Sequence, residues 1–335
     1  MREIWDKARS LMQGFCRVCP RCDGRPCAGQ VPGMGGQGSG SSFFNNITAL
    51  EKVRLNLRVL HQVRSPKLES DFLGLKLALP VMAAPIGGVN FNMYKDGEET
   101  DYTDAVARGC LEAGTVAGLG DGAAPQITAA SYATLGKIAG QGILYFKPWD
   151  NETVLTKMAR LKGLNVPMVG MDVDAAGLIT LALMGQPVSP KPVEDLRAII
   201  STLDVPFIAK GIMTPDEAKL ALQAGARAIV VSNHGGRVLD HTPGTAEALP
   251  AIAAAVKGRL KILVDGGVRS GVDVLKMLAL GADAVLIGRP LAIAAIGGGA
   301  AGVSRYLRKI KDELASAMIM TGCAGVEDAS SRILI

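Results

Sequence analysis

The chain has 335 residues, long enough to bury a large core as one α/β domain or as two smaller ones. Its 36 Lys and Arg against 31 Asp and Glu leave a net charge of only +5, and the basic residues are scattered, so nothing in the charge supports a nucleic-acid partner. No stretch has the apolar length of a transmembrane helix and the charged start around Arg2 and Glu3 is unlike a signal peptide, so the expectation is a cytoplasmic protein with no membrane partner and with reduced cysteines.

Residues 1–45 differ in composition from the rest and are expected to form an N-terminal extension. A short helical stretch leads into Cys16, Cys19, Cys22 and Cys27, and a Gly/Ser-rich run from Gly29 to Ser42 follows. Four thiols within twelve residues suit a tetrahedral zinc ion or an iron–sulfur cluster. Redox-active, disulfide-forming or inert thiols are the other readings. The first two gaps, of two residues each, match the start of a bacterial ferredoxin run; the last gap is one residue longer, and no Pro follows Cys27. Residues 46–70, with Leu50, Val53, Leu57 and Leu60, read as an amphipathic helix and a connection, with His61 on its solvated side.

From residue 71 a rhythm of short apolar runs begins. They are Leu79–Pro85, Gly114–Gly120, Gly142–Lys147, Pro167–Asp172, Val205–Gly211, Ala228–His234, Lys261–Gly267 and Ala284–Pro290. Helix-like segments such as Pro215–Ala224 and Val272–Leu280 lie between them. Continuous apolar strands alternating with helices indicate a parallel sheet covered by helices. Eight such units predict an α/β protein with a (β/α)8 TIM barrel over residues 46–335, rather than an open doubly wound sheet.

Polar residues gather at the C-terminal ends of these runs, the face on which barrel active sites are built. Lys210 ends the fifth run, where a buried ammonium calls for an anionic or electron-accepting ligand atom, a structural carboxylate or a Schiff base. Asp172 ends the fourth and is placed either to orient His234 or to cap a helix. After the sixth run come Ser232, Asn233, His234, Gly235, Gly236 and Arg237, which put a titratable imidazole beside a guanidinium fork for a carboxylate or phosphate. His241, farther along that loop, is read as a surface residue. The last two runs end in Asp265-Gly266-Gly267-Val268-Arg269 and Gly288-Arg289-Pro290, the pattern of a barrel phosphate site.

The block from Phe207 to Pro290 closely resembles the FMN-dependent α-hydroxy acid oxidases and dehydrogenases. The resemblance is carried by Ala209-Lys210-Gly211-Ile212, by Val231 through Arg237, by Asp265 through Gly271 and by Ile287 through Pro290. Weaker similarity includes Pro80 through Pro85 and Met320 through Cys323. The resemblance implies that FMN is bound by Ala84, Pro85, Lys210, Ser232, Asp265, Gly267, Arg269, Gly288 and Arg289. It implies His234 as the base for the substrate, assisted by Asp172, with Arg237 holding the carboxylate and Tyr145 nearby. A homotetramer is implied as well.

The departures from the family pattern fall in the substrate site. Ile179 stands where a second carboxylate-binding Arg is expected, and Ile143 where a Gln is expected. No counterpart of the N-terminal substrate Tyr is evident, and the loop Leu181–Asp195 is short. Losing one charge-assisted fork costs about 1.5–3 kcal/mol of carboxylate affinity. The expected reaction is oxidation of a small 2-hydroxy acid, or a related α-hydroxy carbonyl compound, by hydride transfer to FMN. The alternatives are a flavoprotein reductase or electron-transfer protein using the cysteines, and a flavin-binding scaffold that has lost the activity.

Overall fold

The structure is a computed structural model that spans residues 1–335 and describes all of them except residues 186 and 187 and the side chain of residue 179. The chain opens with α1 (Arg2–Leu11), an irregular Cys- and Gly-rich segment, α2 (Ser41–Lys52), and a hairpin of β1 (Ser70–Phe72) and β2 (Leu75–Leu77). Then come β3 (Val81–Ala83), α3 (Val89–Asn92), α4 (Glu99–Glu112), β4 (Ala117–Gly120), α5 (Pro125–Lys137), β5 (Gly142–Phe146) and α6 (Asn151–Ala159). The middle of the barrel is β6 (Val169–Asp172), α7 (Ile179–Leu183), α8 (Val193–Ile200), β7 (Phe207–Ile212), α9 (Pro215–Ala224) and β8 (Ala228–Val231). It ends with α10 (Thr245–Val256), β9 (Lys261–Val264), α11 (Gly271–Ala279), β10 (Ala284–Ile287) and α12 (Arg289–Thr321). Strands β3 to β10 pair in parallel and β10 returns to β3, closing the predicted (β/α)8 barrel.

Local chemistry sets the boundaries. Helix α9 starts where the Thr214 hydroxyl accepts the Glu217 N–H and Pro215 takes the first turn; it stops at Gly225, whose φ of 102° is left-handed. Helix α11 starts with a capping box between Ser270 and Asp273. The barrel interior is filled by every second strand residue: Ile143 and Tyr145 from β5, Ile208 from β7, Ala228 and Val230 from β8, Leu263 from β9. Phe72 and Leu77 of the hairpin join this cluster. The same alternation carries Asp172, Lys210 and Asp265 to the strand tips in line with the interior side chains beneath them.

The N-terminal segment is bound to the barrel at several points. Helix α1 lies against α12, where a side chain at Gly297 would come within 2.1 Å of the Ile4 carbonyl, and Trp5 stacks on Tyr306 at 5.7 Å. Helix α2 begins at Ser41, inside the predicted extension, and ends at Lys52. The helix expected to continue past Val53 does not form. Asn56 instead donates its N–H to the Ile333 carbonyl and Leu55 bridges to Leu334, so the C-terminal tail holds this stretch extended and leaves Leu57 and Leu60 exposed. Among the described residues, no helix is long and apolar enough to cross a membrane.

Candidate active site

A cavity of about 280 Å³ opens at the C-terminal ends of the barrel strands. Lys147, Lys210, His234, Arg237, Arg269 and Arg289 all reach its wall, as do Ala84, Pro85, Asp265, Gly267 and Gly288. Residues drawn from six strand ends thus share one space.

His234 owes its position to a tight turn after β8. Its own φ is 55°, Gly235 and Gly236 are also left-handed, and the Asn233 side chain accepts the Gly236 N–H at 3.2 Å. The glycines are required by close approach: a Cβ on Gly235 would lie 2.4 Å from Arg289 Nη1, and one on Gly236 would lie 2.4 Å from the Phe43 nitrogen. His234 Nδ1 lies 3.0 Å from Asp174 Oδ1. Burial pulls the imidazole below its ordinary pKa, partly opposed by Asp174, so the ring is neutral at neutral pH.

Asp172 differs from its expected role. Its Oδ2 accepts from Lys147 Nζ at 2.6 Å, and its Oδ1 lies 3.2 Å from Lys210 Nζ without hydrogen-bond geometry. Strand register explains this, because Asp172 pairs directly with Lys210 across β6 and β7. Burial opposes ionisation of Asp172, but the two ammonium groups outweigh it and hold the carboxyl well below the usual range. In the same way Asp172 and Asp265 overcome the burial of Lys210 and keep it charged. The carboxylate that orients His234 is Asp174, two residues farther on, and the neighbouring turn makes room for it. Gly211 has a φ of 106°, and a Cβ there would come within 2.3 Å of the Asp174 carboxyl carbon.

Tyr145 is also placed differently from the expectation. It points into the barrel core rather than to the cavity wall, since the register sets it beside Gly170, where any side chain would meet its ring at 2.2 Å. Its buried hydroxyl has no hydrogen-bond partner among the described residues. Ser232 lies just below the cavity, and its hydroxyl accepts the His234 N–H at 3.0 Å. Ile143 is buried in the barrel interior. The substitution at Ile179 concerns a side chain outside the described residues, as do two positions of the short loop.

Three arginines give the cavity its charge. Among the described residues no carboxylate forms an ion pair with Arg237, Arg269 or Arg289. Arg237 donates to the Gly33 and Gly35 carbonyls and to Asn92 Oδ1, the last at 2.9 Å. Burial beside Arg289 pulls its guanidinium down to about 9, which still leaves it charged at neutral pH. Arg289 lies over the Phe43 ring at 4.0 Å and donates to the carbonyls of Met34, Gly35 and Gly235. Arg269 Nε and Asp265 Oδ1 are buried at the same cavity with no hydrogen-bond partner among the described residues. Buried cations and orphaned polar atoms on one wall are costly unless a polyanionic, hydroxyl-bearing ligand completes them. A ribityl phosphate meets that demand, so the residues present fit FMN.

Two contributors were not singled out from the sequence. Lys147 ends an apolar run and Asp121 directly follows one, much the signal that marked Lys210 and Asp172. Asp121 is buried and accepts from Trp149 Nε1 and Lys157 Nζ, at 2.5 and 2.6 Å.

The cysteines do not reach the large cavity. All four are free thiols around a second, small cavity, and Met34, Phe43 and Arg289 form part of both walls. Burial pushes the Cys16 thiol up to about 11, and the nearby Cys22, Cys27 and Cys19 thiols add to the rise.

A closed barrel with a cationic mouth at its strand ends and a histidine fixed by a carboxylate defines a barrel protein built to hold an anionic cofactor. The sequence pattern of the FMN-dependent dehydrogenases matches residues 33–181 and 180–335. An L-lactate oxidase of Nostoc sp. is 32% identical over 345 residues, covering 90% of this chain and 92% of that protein. Glycolate oxidase 1 of Zea mays is 30% identical, covering 87% and 86%. A solved mandelate oxidase with (S)-2-phenylpropionate superposes with a TM-score of 0.79 at 31% identity, covering 100% of this chain and 97% of that one. The chain belongs to the FMN-dependent dehydrogenase family, and its cofactor is FMN.

Proposed function

We propose that this protein oxidises a 2-hydroxy acid to the corresponding 2-oxo acid, with His234 as the base and Arg237 as the carboxylate anchor. The observation that carries this reading is His234, hydrogen-bonded to Asp174 and sharing a cavity with Arg237, which pairs with no carboxylate among the described residues. With Nδ1 facing Asp174, the ring proton belongs on Nδ1 and Nε2 keeps its lone pair for the substrate hydroxyl proton. The resulting imidazolium is stabilised by the same carboxylate.

FMN, when bound, supplies the acceptor for the hydride. Lys210 would offer it a permanent positive charge. Asp265 would hold its hydroxyl-bearing chain, and Arg269 and Arg289, with Gly267 and Gly288, would hold its phosphate. Ala84 and Pro85 would line its site, and Ser232 would support it through the His234 turn. Asp172 acts by positioning Lys210, and Tyr145 by filling the barrel beneath them. In this reading residues 46–335 form the catalytic barrel and residues 1–45 close its mouth.

Anaerobic addition of L-lactate, glycolate or mandelate is expected to bleach the flavin absorbance. His234→Ala is expected to keep the flavin and slow that bleaching by about 10²- to 10⁴-fold. Fast bleaching in the variant sinks His234 as the base, and no bleaching by any hydroxy acid sinks the activity. We also propose a homotetramer, supported by the exposed apolar stretch of Leu57, Val59 and Leu60, and a cytoplasmic location, supported by six free cysteines. Light scattering that returned a monomer would count against the assembly.

A further inference from the structure

We propose that Cys16, Cys19, Cys22 and Cys27 bind a four-iron, four-sulfide cluster against the wall of the FMN cavity. All four line one small cavity. None is in a disulfide, whereas the other two cysteines, Cys110 and Cys323, are buried elsewhere in the fold. The segment carrying the four has one short 3-10 turn, Arg25–Cys27, as its only regular structure. It is nonetheless folded back over the barrel mouth, as a metal-stapled loop is.

No three of the cysteine sulfurs lie within 4.8 Å of one another, so they are spread more widely than the ligands of a single ion. A tetrahedral zinc site holds its sulfurs about 3.8 Å apart, given Zn–S bonds of about 2.3 Å. Among the described residues, the one group of three ligand-type side chains with donor atoms within 4.8 Å of one another is Asp172, Asp174 and His234. That group is already neutralised by Lys147 and Lys210. The cysteine sulfurs therefore converge on a common space without closing to the distances one ion requires. A cube of iron and sulfide holds its thiolates farther apart, because the metal atoms stand between them. The Cys-x2-Cys-x2-Cys run is also the ligand spacing of four-iron sites.

The surroundings suit an anionic cluster. The Val18 N–H points to Cys16 Sγ at 3.4 Å, and Arg269 Nη2 lies 3.5 Å from Cys22 Sγ. Such donors stabilise cluster thiolates and tune their potential. Arg269 and Arg289 thereby face both the thiols and the FMN cavity. The cluster would stand next to the cofactor, with Met34, Phe43 and Arg289 between them.

Resting on the proposed hydroxy-acid activity, this placement gives the substrate's electrons an exit. Each oxidation releases two electrons and two protons. The electrons would leave singly through the cluster to an external one-electron carrier protein, and the protons would pass to solvent.

The full-length holoprotein, purified anaerobically and reconstituted with ferrous iron and sulfide in competition with zinc, provides the test. About four irons and four sulfides per chain are expected, with a low-temperature EPR signal after dithionite reduction. Cys22→Ala should lose the iron and keep the flavin, whereas Cys110→Ala should keep both. One zinc per chain, no bound metal, or full iron in a Cys16→Ala/Cys22→Ala double variant overturns the cluster, and the wild-type metal count stands even if a variant does not fold. Anaerobic L-lactate, glycolate and mandelate are then added in place of dithionite. Bleached flavin with an EPR-active cluster supports the electron route, and bleached flavin with an oxidised cluster overturns it. Unbleached flavin overturns the hydroxy-acid reading and the route together, leaving the cluster to be judged by its iron and sulfide.

Discussion

Asp172 and Asp174 lie two residues apart and do different work. Asp172 is the counter-charge for Lys147 and Lys210, all three buried. Asp172→Asn leaves Lys147 without a full negative partner and Lys210 with only Asp265 at 3.8 Å, and is expected to cost about 3–5 kcal/mol in denaturant unfolding. The folded-state pKa of Asp172 is depressed, so its contribution is present above the unfolded value and is lost only as pH falls through the folded one. That of Lys210 is raised, so its contribution is present below the unfolded lysine value and is lost only as pH rises through the folded one. The stability gap between wild type and Asp172→Asn should therefore be flat from about pH 8, above the range of His234 that Asp172 also perturbs, to about pH 10. Asp174 raises the pKa of His234 against the pull of burial. In Asp174→Asn the acid limb of kcat/KM should move to lower pH, and kcat should fall on the order of 10²-fold as the ring loses its fixed tautomer. An unmoved limb would show that Asp174 does not govern the base.

At the scale of the strands, register converts single residues into a site. The β6–β7 pairing sets Asp172 against Lys210, and the β5–β6 pairing sets Tyr145 against Gly170. Gly170 is therefore a packing requirement. Gly170→Ala places a methyl within 2.2 Å of the Tyr145 ring and should cost about 1–3 kcal/mol in thermal unfolding, with the Tyr145 environment shifted in near-UV circular dichroism. The eight barrel strands were legible because parallel strands buried on both faces are continuous apolar runs, and α9 and α11 because their apolar residues recur at helical spacing. The helix expected through Leu57 and Leu60 was not legible correctly. Its periodicity competes with backbone bonds to Ile333 and Leu334, which lie at the far end of the chain.

For the molecule as a whole, the N-terminal segment is part of the site wall. Gly33 and Gly35 accept from Arg237, Met34 and Gly35 accept from Arg289, and Asn46 of α2 donates to Asn233 at 2.8 Å. A chain beginning at Ser41 loses the carbonyls that aim both guanidinium groups. FMN binding by fluorescence titration is expected to weaken by about tenfold or more, the worth of roughly 1.4 kcal/mol. Unchanged affinity would show that the barrel alone orients the arginines.

The sequence by itself determined the barrel, the cofactor class and the set of polar residues that end the strands. Burial on both faces and a chain period of two leave a periodic record in any linear text. Only the tertiary structure decided which carboxylate serves His234, that Tyr145 fills the barrel core, and that the four cysteines share a wall with the cofactor cavity. These are matters of distance between segments as much as 255 residues apart, as in the Arg289–Met34 bond. Strand register and the left-handed turns at Gly211 and Gly235 set those distances, and local composition carries no record of them.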